Sequence, residues 1–319
     1  MNTMFAKSSN AGIRPRARIR PWIQAARPIA HPMIFIPLVI GQAMAFGQQG
    51  QFSVFLWAHT LLFGVLYQVY LLYLNDYADQ AVDRLNTQHW FSGGSRVLPD
   101  GKLAPRDLRV GANVALALMI GLTVFLASIV DRPLMIAGIA LAIALCWAYN
   151  LKPLQLSYRG YGEVLQGLGC GVLLPLIGFY MQQGTLAQFP WGALIPLYLV
   201  FHAGNIITAL PDFPSDSKGG KRTYPVRHGE HRARSMALTL LTVAYGSFVL
   251  ANIRLPMNIL AAVVVPSALV LIAIVLSGLH QGANTADFPR CKRFVTWTSV
   301  SQAWFLCAWS GALLMSSST

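Results

Sequence analysis

Residues 54–83 read VFLWAHTLLFGVLYQVYLLYLNDYADQAVD, an apolar run that ends in three aspartates. The segment 54–75 carries no charged residue and is long enough, as a helix, to cross the roughly 30 Å hydrocarbon core of a bilayer. The sequence therefore predicts a membrane protein with about nine spans, since similar segments recur at 29–46, 108–130, 132–149, 162–182, 190–210, 235–252, 257–278 and 294–315.

The composition agrees with lipid as the main solvent. Hydrophobic residues make up 55% of the 319 residues and charged residues only 11%, whereas a soluble domain carries about a quarter charged residues. The apolar segments are continuous and do not alternate, which excludes a lipid-exposed β-barrel. The predicted fold class is all-α, with transmembrane helices around a central cavity in residues 29–319 and a basic arm in residues 1–28.

The positive charges are distributed in a way that predicts the orientation in the membrane. Of the 24 Lys and Arg residues, 22 lie in the arm and in the segments after spans two, four, six and eight, leaving Arg132 and Arg254 for the other side. The positive-inside rule then places the N-terminus and these segments in the cytoplasm and the C-terminus outside. The net charge of +13 is a topology signal and indicates no nucleic-acid partner. Arginines of the arm are expected at the lipid surface, namely Arg14, Arg16, Arg18 and Arg20.

The first acidic motif follows span two. If that span continues as a helix, Asp76, Asp79 and Asp83 lie at positions i, i+3 and i+7 and project from one face. Three carboxylates on one stripe repel one another unless a cation compensates them. Mg²⁺ takes oxygen ligands, usually one or two carboxylates together with substrate phosphates. The motif therefore predicts a metal-diphosphate site, although one acidic helix end is equally typical of a solvated surface.

A second acidic motif follows span six. Asp212 and Asp216 are four residues apart, and the basic residues Lys218, Lys221 and Arg222 come just after them. Carboxylates beside fixed cations suit diphosphate, which needs both metal bridges and direct contacts from Lys or Arg. Because proline is tolerated in a first helical turn, Pro211 and Pro214 predict that span six breaks and that a short helix starts near Asp212. The basic residues are equally typical of a positive-inside anchor.

The equivalent placement of the two motifs suggests that both border one central cavity. Several other side chains are predicted to lie at its cytoplasmic end. Tyr149 is the aromatic residue best placed to stabilise an allylic cation, although most tyrosines near span ends belong to an interfacial belt. Asn205 lies about two turns before Asp212 and is predicted to face the cavity. Arg27, at the mouth of span one, is a further candidate for a phosphate contact.

These motifs resemble those of the UbiA superfamily of intramembrane prenyltransferases. Its members carry Asn-Asp-x-x-Asp-x-x-x-Asp after the second helix and Asp-x-x-x-Asp after the sixth, matched here by Asn75 to Asp83 and Asp212 to Asp216. Pro214 departs from the second pattern. Three more stretches resemble the quinone-synthesis branch, particularly its dihydroxynaphthoate polyprenyltransferases: GGSRVLPDG at 93–101, YNLKPLQLSYRGYGE at 149–163 and GKRT at 220–223.

The resemblance implies an enzyme of a bacterial cytoplasmic membrane that uses Mg²⁺, a polyprenyl diphosphate and an aromatic acceptor, as in menaquinone biosynthesis. Both Asp motifs would hold the metal, and an aromatic carbon would attack the allylic cation left by the departing diphosphate. The resemblance further implies phosphate contacts from Lys152, Arg159, Lys221 and Arg222. With Arg27, Asn75 and Asn205, these residues complete the predicted substrate-binding set.

Other functions fit part of the same pattern. A cation-coupled transporter also places acids in a helical bundle, although usually near the bilayer midplane and not at span ends on one side. A terpene cyclase or a lipid-glycerol prenyltransferase could share the fold and both motifs. Diphosphate release without an acceptor would indicate a cyclase, and ion flux without any release would indicate a transporter.

Overall fold

The computed structural model describes residues 19–87, 93–253 and 255–316, and Arg14, Arg16, Arg18 and Arg254 of the sequence predictions lie outside these ranges. The described residues are helical and contain no strand. The helices are α1 Ile19–Ala26, α2 Pro32–Gln49, α3 Val54–Ala78, α4 Gln80–Leu85, α5 Pro105–Ser128, α6 Leu134–Asn150, α7 Leu156–Arg159, α8 Gly162–Gln183, α9 Trp191–Ala209, α10 Phe213–Lys218, α11 Tyr224–His228, α12 Glu230–Ala251, α13 Met257–Leu276, α14 Leu279–Gly282 and α15 Phe288–Ser316.

Every predicted span overlaps one of the long helices, so the all-α membrane fold is confirmed. Within the described ranges, six helices are long and apolar enough to cross a membrane: α3, α5, α8, α9, α12 and α13. The segment Ile19–Ala30 and α2 meet at 51° and would make a seventh if they form one span. Helix α6 is apolar but has only 17 residues, and the ninth predicted span lies within the 29 residues of α15. The count of nine spans stays a prediction.

The outer surface of the bundle is apolar. On α5, Val110, Val114 and Leu118 are each more than half exposed and are spaced four residues apart, so they form one outward stripe. Leu269 and Ile272 of α13 are likewise more than half exposed. An apolar surface of this extent is expected to face lipid, because water would disfavour it.

The interior is closed by a tight crossing of α2 and α8. A Cβ atom at Gly41 of α2 would come within 2.1 Å of the Pro175 carbonyl oxygen, and one at Gly178 of α8 within 2.1 Å of the Leu38 carbonyl oxygen. Small residues allow helix backbones to approach this closely in membranes. This crossing fixes α2 and α8 on one side of the cavity that the acidic motifs border.

Candidate active site

The first acidic motif lies where α3 meets α4. Helix α3 ends at Ala78 and α4 begins at Gln80, with Asp79 between them at φ −92° and ψ 9°. The condition that span two continues as one uninterrupted helix through the three aspartates is therefore not met at Asp79, a residue type whose side chain competes with helical hydrogen bonds. Asp76, Asp79 and Asp83 are still buried together, with exposed fractions of 2%, 5% and 6%.

Two cations compensate this buried charge. The Lys221 Nζ atom lies 2.7 Å from Asp79 Oδ2, and the Arg27 guanidinium forms an ion pair with Asp76. Asp79 also accepts a hydrogen bond of 3.1 Å from Asn75 Nδ2. Burial alone would lower the pKa of Lys221, but Asp79 and neighbouring acidic groups raise that pKa well above its ordinary value. Lys221 therefore stays charged inside the protein.

Asp83 is the most strongly perturbed carboxyl group of the first motif. Burial, reinforced by the charges of Asp79 and Asp76, raises the pKa of Asp83 to about 8. The backbone of Gly94 packs directly on this carboxylate, and a Cβ atom at Gly94 would come within 2.1 Å of Asp83 Oδ2. A raised pKa means that the ionised carboxylate is incompletely compensated by the protein, so an added cation would stabilise it.

The second motif begins at a true helix break. Helix α9 ends at Ala209, and Asp212 is the N-cap of α10, whose first turn contains Pro214, so the predicted break is confirmed. Asp216 is 4% exposed and accepts a hydrogen bond of 3.2 Å from Thr223 Oγ1. Burial raises the pKa of Asp216 to about 7, against the lowering effect of nearby Lys221.

Both motifs border a single cavity of about 660 Å³, as their placement in the sequence suggests. Asn86 connects them, because its Nδ2 atom donates a hydrogen bond of 2.8 Å to Asp212 Oδ1. Asp76 lies just behind the cavity wall, where Arg27 and Ser95 bind it. The predicted site residues that line the cavity are Arg27, Asn75, Asp79, Asp83, Tyr149, Asn205, Asp212, Asp216 and Lys221.

Three predicted phosphate contacts are not brought to this cavity. Lys152, Arg159 and Arg222 are exposed and do not line it, and Arg159 instead donates a hydrogen bond of 2.6 Å to the Pro153 carbonyl oxygen. In a sequence, a basic residue beside an acidic motif looks the same whether it contacts phosphate or anchors a loop at the membrane surface. The structure favours Lys221 and Arg27 as the cations of the cavity.

Sequence reasoning gave no role to the loop that covers the first motif. The Ser95 amide nitrogen lies 3.3 Å from Asp76 Oδ1, and the Ser95 hydroxyl also donates to Asp76. Gly93 and Gly94 have φ angles of 86° and 74°, which only glycine adopts readily. The Gly-Gly pair was the available signal, but it does not reveal which side chain the turn touches.

The far end of the cavity is uncharged. Tyr149 and Asn205 both line it, and Asn205 Nδ2 donates a hydrogen bond of 2.5 Å to Gln166 Oε1. Around this neutral group the wall is apolar, with contributions from Met33, Ile34, Leu71, Leu72, Leu145, Leu165 and Cys170. The cavity can therefore hold an anion at one end and a hydrocarbon with an aromatic ring at the other.

The carboxylates have the right chemistry for Mg²⁺. In the described part of the chain, no three His, Cys, Asp or Glu side chains stand close enough to form a metal site by themselves. Mg²⁺ usually binds one or two carboxylates and completes its octahedron with water and substrate phosphates. The donor set fits a metal that is shared with a phosphate ligand, and the raised pKa values of Asp83 and Asp216 fit the arrival of positive charge.

Comparison with known protein sequences agrees with the geometry. Residues 34–300 match the UbiA prenyltransferase family. A 1,4-dihydroxy-2-naphthoate octaprenyltransferase of Mycobacterium tuberculosis is 29% identical over 264 residues, which are 79% of this chain and 85% of that protein. A protein of the same name from Bacillus subtilis is 25% identical over 225 residues, covering 70% of each chain.

Solved structures share the fold. A UbiA homologue from Archaeoglobus fulgidus, determined with DMAPP and Mg²⁺, superposes with a TM-score of 0.67 at 17% identity, over 92% of this chain and 99% of that one. The family match covers most of the sequence, including both acidic motifs, and the helices overlap the predicted spans. The chain therefore belongs to the UbiA prenyltransferase family and is an integral membrane prenyltransferase.

Proposed function

We propose that this protein transfers a polyprenyl group from a polyprenyl diphosphate to a hydroxylated aromatic acid, of the dihydroxynaphthoate or hydroxybenzoate type, in a Mg²⁺-dependent step of quinone biosynthesis. The observation that carries the proposal is that both acidic motifs and Lys221 border one cavity with an apolar far end. The names of the relatives in M. tuberculosis and B. subtilis support a naphthoate acceptor and hence menaquinone as the product class.

The charged end of the cavity would bind the diphosphate. Mg²⁺ held by the aspartates would neutralise the departing diphosphate and so assist cleavage of the carbon–oxygen bond, with Asp76, Asp79, Asp83, Asp212 and Asp216 as the candidate ligands. Lys221 and Arg27 now pair with Asp79 and Asp76. Their side chains would also donate to phosphate oxygens, as charge-assisted hydrogen bonds favour. The Asn75 amide, which holds Asp79, would position that carboxylate.

The uncharged end would bind the prenyl chain and the acceptor. When the carbon–oxygen bond breaks, its electron pair leaves with the diphosphate and the prenyl group becomes an allylic cation. Tyr149 lines the cavity close to Lys221 and Asn205, where its ring can stabilise that cation by cation–π attraction. An electron-rich ring carbon of the acceptor then supplies the electrons of the new carbon–carbon bond, and the ring loses the proton from that carbon.

The cellular location is part of the proposal. The relatives in M. tuberculosis and B. subtilis support a bacterial cytoplasmic membrane, and the distribution of Lys and Arg supports residues 1–28 and the acidic motifs on its cytoplasmic side. In that orientation the charged end of the cavity meets the compartment in which Mg²⁺ and soluble aromatic acids are available, while the prenyl chain extends among the helices toward lipid.

The test is prenyl transfer by the purified protein, with dihydroxynaphthoate, hydroxybenzoate or geranylgeranylglyceryl phosphate as acceptor. The lipid acceptor is included because a relative in Methanospirillum hungatei, 26% identical over 242 residues, is named digeranylgeranylglyceryl phosphate synthase. We expect product with an aromatic acid and Mg²⁺, and none after EDTA. Product with geranylgeranylglyceryl phosphate alone, diphosphate release without any acceptor, or activity undiminished by EDTA would each refute the proposal.

A further inference from the structure

We propose that Gln166 recognises the acceptor, by donating a hydrogen bond from its side-chain amide to a neutral oxygen on the aromatic ring. The inference rests on the proposed transfer to an aromatic acceptor and adds a specificity-determining residue to it. Gln166 lies one turn into α8 and lines the cavity. Neither acidic motif contains it.

The side-chain amide nitrogen of Gln166 has no hydrogen-bond acceptor among the described residues. Its Oε1 atom accepts the 2.5 Å hydrogen bond from Asn205 Nδ2, which fixes the side-chain amide in one orientation. Its Nε2 atom is buried and, among the described residues, has no hydrogen-bond partner. A buried donor without a partner is unfavourable, so an oxygen placed beside it by a ligand would be bound selectively.

The surroundings of Gln166 decide which kind of oxygen this is. The polar cavity residues Tyr149, Asn205 and Thr208 are uncharged, and the Thr208 hydroxyl donates within α9 to the Gly204 carbonyl oxygen. The buried acid Glu163, three residues before Gln166 on α8, does not line the cavity and pairs with Arg227 at 3.7 Å. The cavity cations Arg27 and Lys221 are already paired, with Asp76 and Asp79. A carboxylate would lack a counter-ion beside Gln166, whereas a phenol hydroxyl or a ring carbonyl oxygen needs none.

The depth of Gln166 in the bundle suits the acceptor and not the other substrate. Asn205, its hydrogen-bond partner, lies four residues before Ala209, the last residue of α9, whereas Asp212 begins the next helix beyond the break. A diphosphate at the aspartates is bound beyond the end of α9, and a prenyl chain has no oxygen or nitrogen to accept a hydrogen bond from Gln166. The aromatic acceptor is the substrate that carries oxygen to this depth.

An unpartnered amide nitrogen alone would not support the inference, because the described residues hold two others, Gln42 Nε2 and Gln302 Nε2, and neither glutamine lines the cavity. Gln42 Nε2 is also buried without a partner, while Gln42 Oε1 accepts a hydrogen bond of 2.9 Å from Gln182 Nε2. Gln42 does not line the cavity. Gln42 and Gln166 share the unpartnered amide nitrogen, but only Gln166 lines the cavity. Gln42 is therefore the matched control.

The experiment compares Gln166→Met, Gln166→Glu and Gln42→Met with the wild type in detergent. Gln166→Met keeps the approximate side-chain length and loses the donor, whereas Gln166→Glu replaces the amide NH2 with a carboxyl oxygen that donates only when protonated. Affinity is measured, with inorganic diphosphate and Mg²⁺ present, for the acceptor that the wild type prenylates and for analogues that each lack one ring hydroxyl. KM for the polyprenyl diphosphate is measured in parallel, as a check that the charged end of the cavity is intact.

We expect the wild type to bind one deoxy analogue about tenfold more weakly than the full acceptor, and Gln166→Met to lose that discrimination while KM for the polyprenyl diphosphate stays unchanged. Gln166→Glu should bind the full acceptor still more weakly. Gln42→Met should behave as the wild type. Unchanged discrimination in Gln166→Met, or equal effects of Gln42→Met, would overturn the role of Gln166. A wild type that prenylates no aromatic acceptor would instead overturn the proposed function.

Discussion

Asp76 and Asp212 each begin one acidic motif, and each belongs to a different helix end around the cavity. An Asp→Asn substitution nearly preserves side-chain volume and removes a ligand charge. If both motifs must neutralise the departing diphosphate, neither suffices alone, and kcat of either variant should fall by about a hundredfold or more while the protein still folds. Prenyl transfer over a Mg²⁺ titration measures this.

Asp100→Asn is the matched control. The Asp100 side chain is about one-third exposed, pairs with Lys102 at 3.0 Å and Arg96 at 3.2 Å, and does not line the cavity. Asp100→Asn removes one negative charge, as the two test substitutions do, but from outside the cavity. Its activity should therefore stay close to that of the wild type. Full activity in Asp76→Asn and Asp212→Asn would contradict a joint metal site.

Lys221 and Arg222 are adjacent in the sequence, but their side chains lie in different surroundings. Lys221 lines the cavity and pairs with Asp79, whereas Arg222 is exposed. Hydrogen bonds to charged groups contribute about 1.5–3 kcal/mol, so Lys221→Ala should raise KM for the polyprenyl diphosphate about tenfold or more. Arg222→Ala should change that KM by less than about twofold, as expected of an exposed charge.

Steady-state kinetics with varied polyprenyl diphosphate separates the two variants. Because Lys221→Ala also leaves Asp79 without its cation, thermal unfolding is recorded beside the kinetics to confirm a folded protein. Equal KM values in both variants would contradict a specific role for Lys221, and a larger effect of Arg222→Ala would assign the phosphate contact to Arg222.

At the scale of elements, the loop between α4 and α5 fixes the first motif through backbone contact. A Gly94→Ala substitution forces a side chain into the left-handed region at φ 74° and presses its Cβ atom against the Asp83 carboxylate. Gly101 has a similar φ of 65°, but a Cβ there would meet no atom within 4 Å. The two substitutions share the conformational penalty of about 1–2 kcal/mol and differ in the contact with Asp83.

We therefore expect Gly94→Ala to require more Mg²⁺ for half-maximal activity and to lower kcat, because Asp83 must move. Gly101→Ala should lower the melting temperature slightly and leave the Mg²⁺ dependence unchanged. Mg²⁺ titrations of activity together with melting curves check both statements. An identical Mg²⁺ dependence in the two variants would show that the Gly94 contact does not position Asp83.

Most of the helices could be predicted from the sequence. Apolar segments of membrane length predict helices because an unpaired backbone is too unfavourable in lipid, and the prolines near Asp212 predicted the break before α10. The break at Asp79 could not be read from the sequence, since no proline or glycine marks it. Proline stops a helix outright, whereas an aspartate only weakens the helix locally and is a weaker signal.

The site was readable only in part. Two aspartate motifs at equivalent positions predicted a shared cavity, and the cavity exists. The sequence did not reveal that Lys152, Arg159 and Arg222 are exposed and lie off the cavity lining, because the charge of a residue does not indicate its exposure. Their phosphate contacts stay predictions. Gln166 carried no signal at all, since an unpartnered donor is a property of the folded contacts and one glutamine in an apolar span is otherwise an ordinary packing residue.

At the scale of the whole molecule, charge is separated along the bundle axis. Arg27, Lys221 and the aspartates gather at one end, where α1 packs on α3 through Trp22 and Tyr73, whose rings lie 5.7 Å apart. Arg132 belongs to the opposite end, where its Nε atom donates a hydrogen bond of 3.0 Å to the Met181 carbonyl oxygen near the end of α8. The two ends that the sequence assigns to opposite sides of the membrane are thus also opposite in the fold.

This separation leads to the prediction on topology. With 22 of the 24 Lys and Arg residues on the side of the acidic motifs, that side should be cytoplasmic, because basic loops resist translocation across the membrane. Fusions of a reporter that is active only outside the cytoplasm should therefore be active after Gln183 and after Thr319, and a fusion after Asp100 should be inactive. The Thr319 fusion also tests the number of spans, since only an odd number separates the N-terminus from the C-terminus. A cytoplasmic signal at Gln183 would reverse the orientation and place the diphosphate end of the cavity away from the cytoplasm, whereas a cytoplasmic signal at Thr319 alone would exclude nine spans and leave the site on its predicted side.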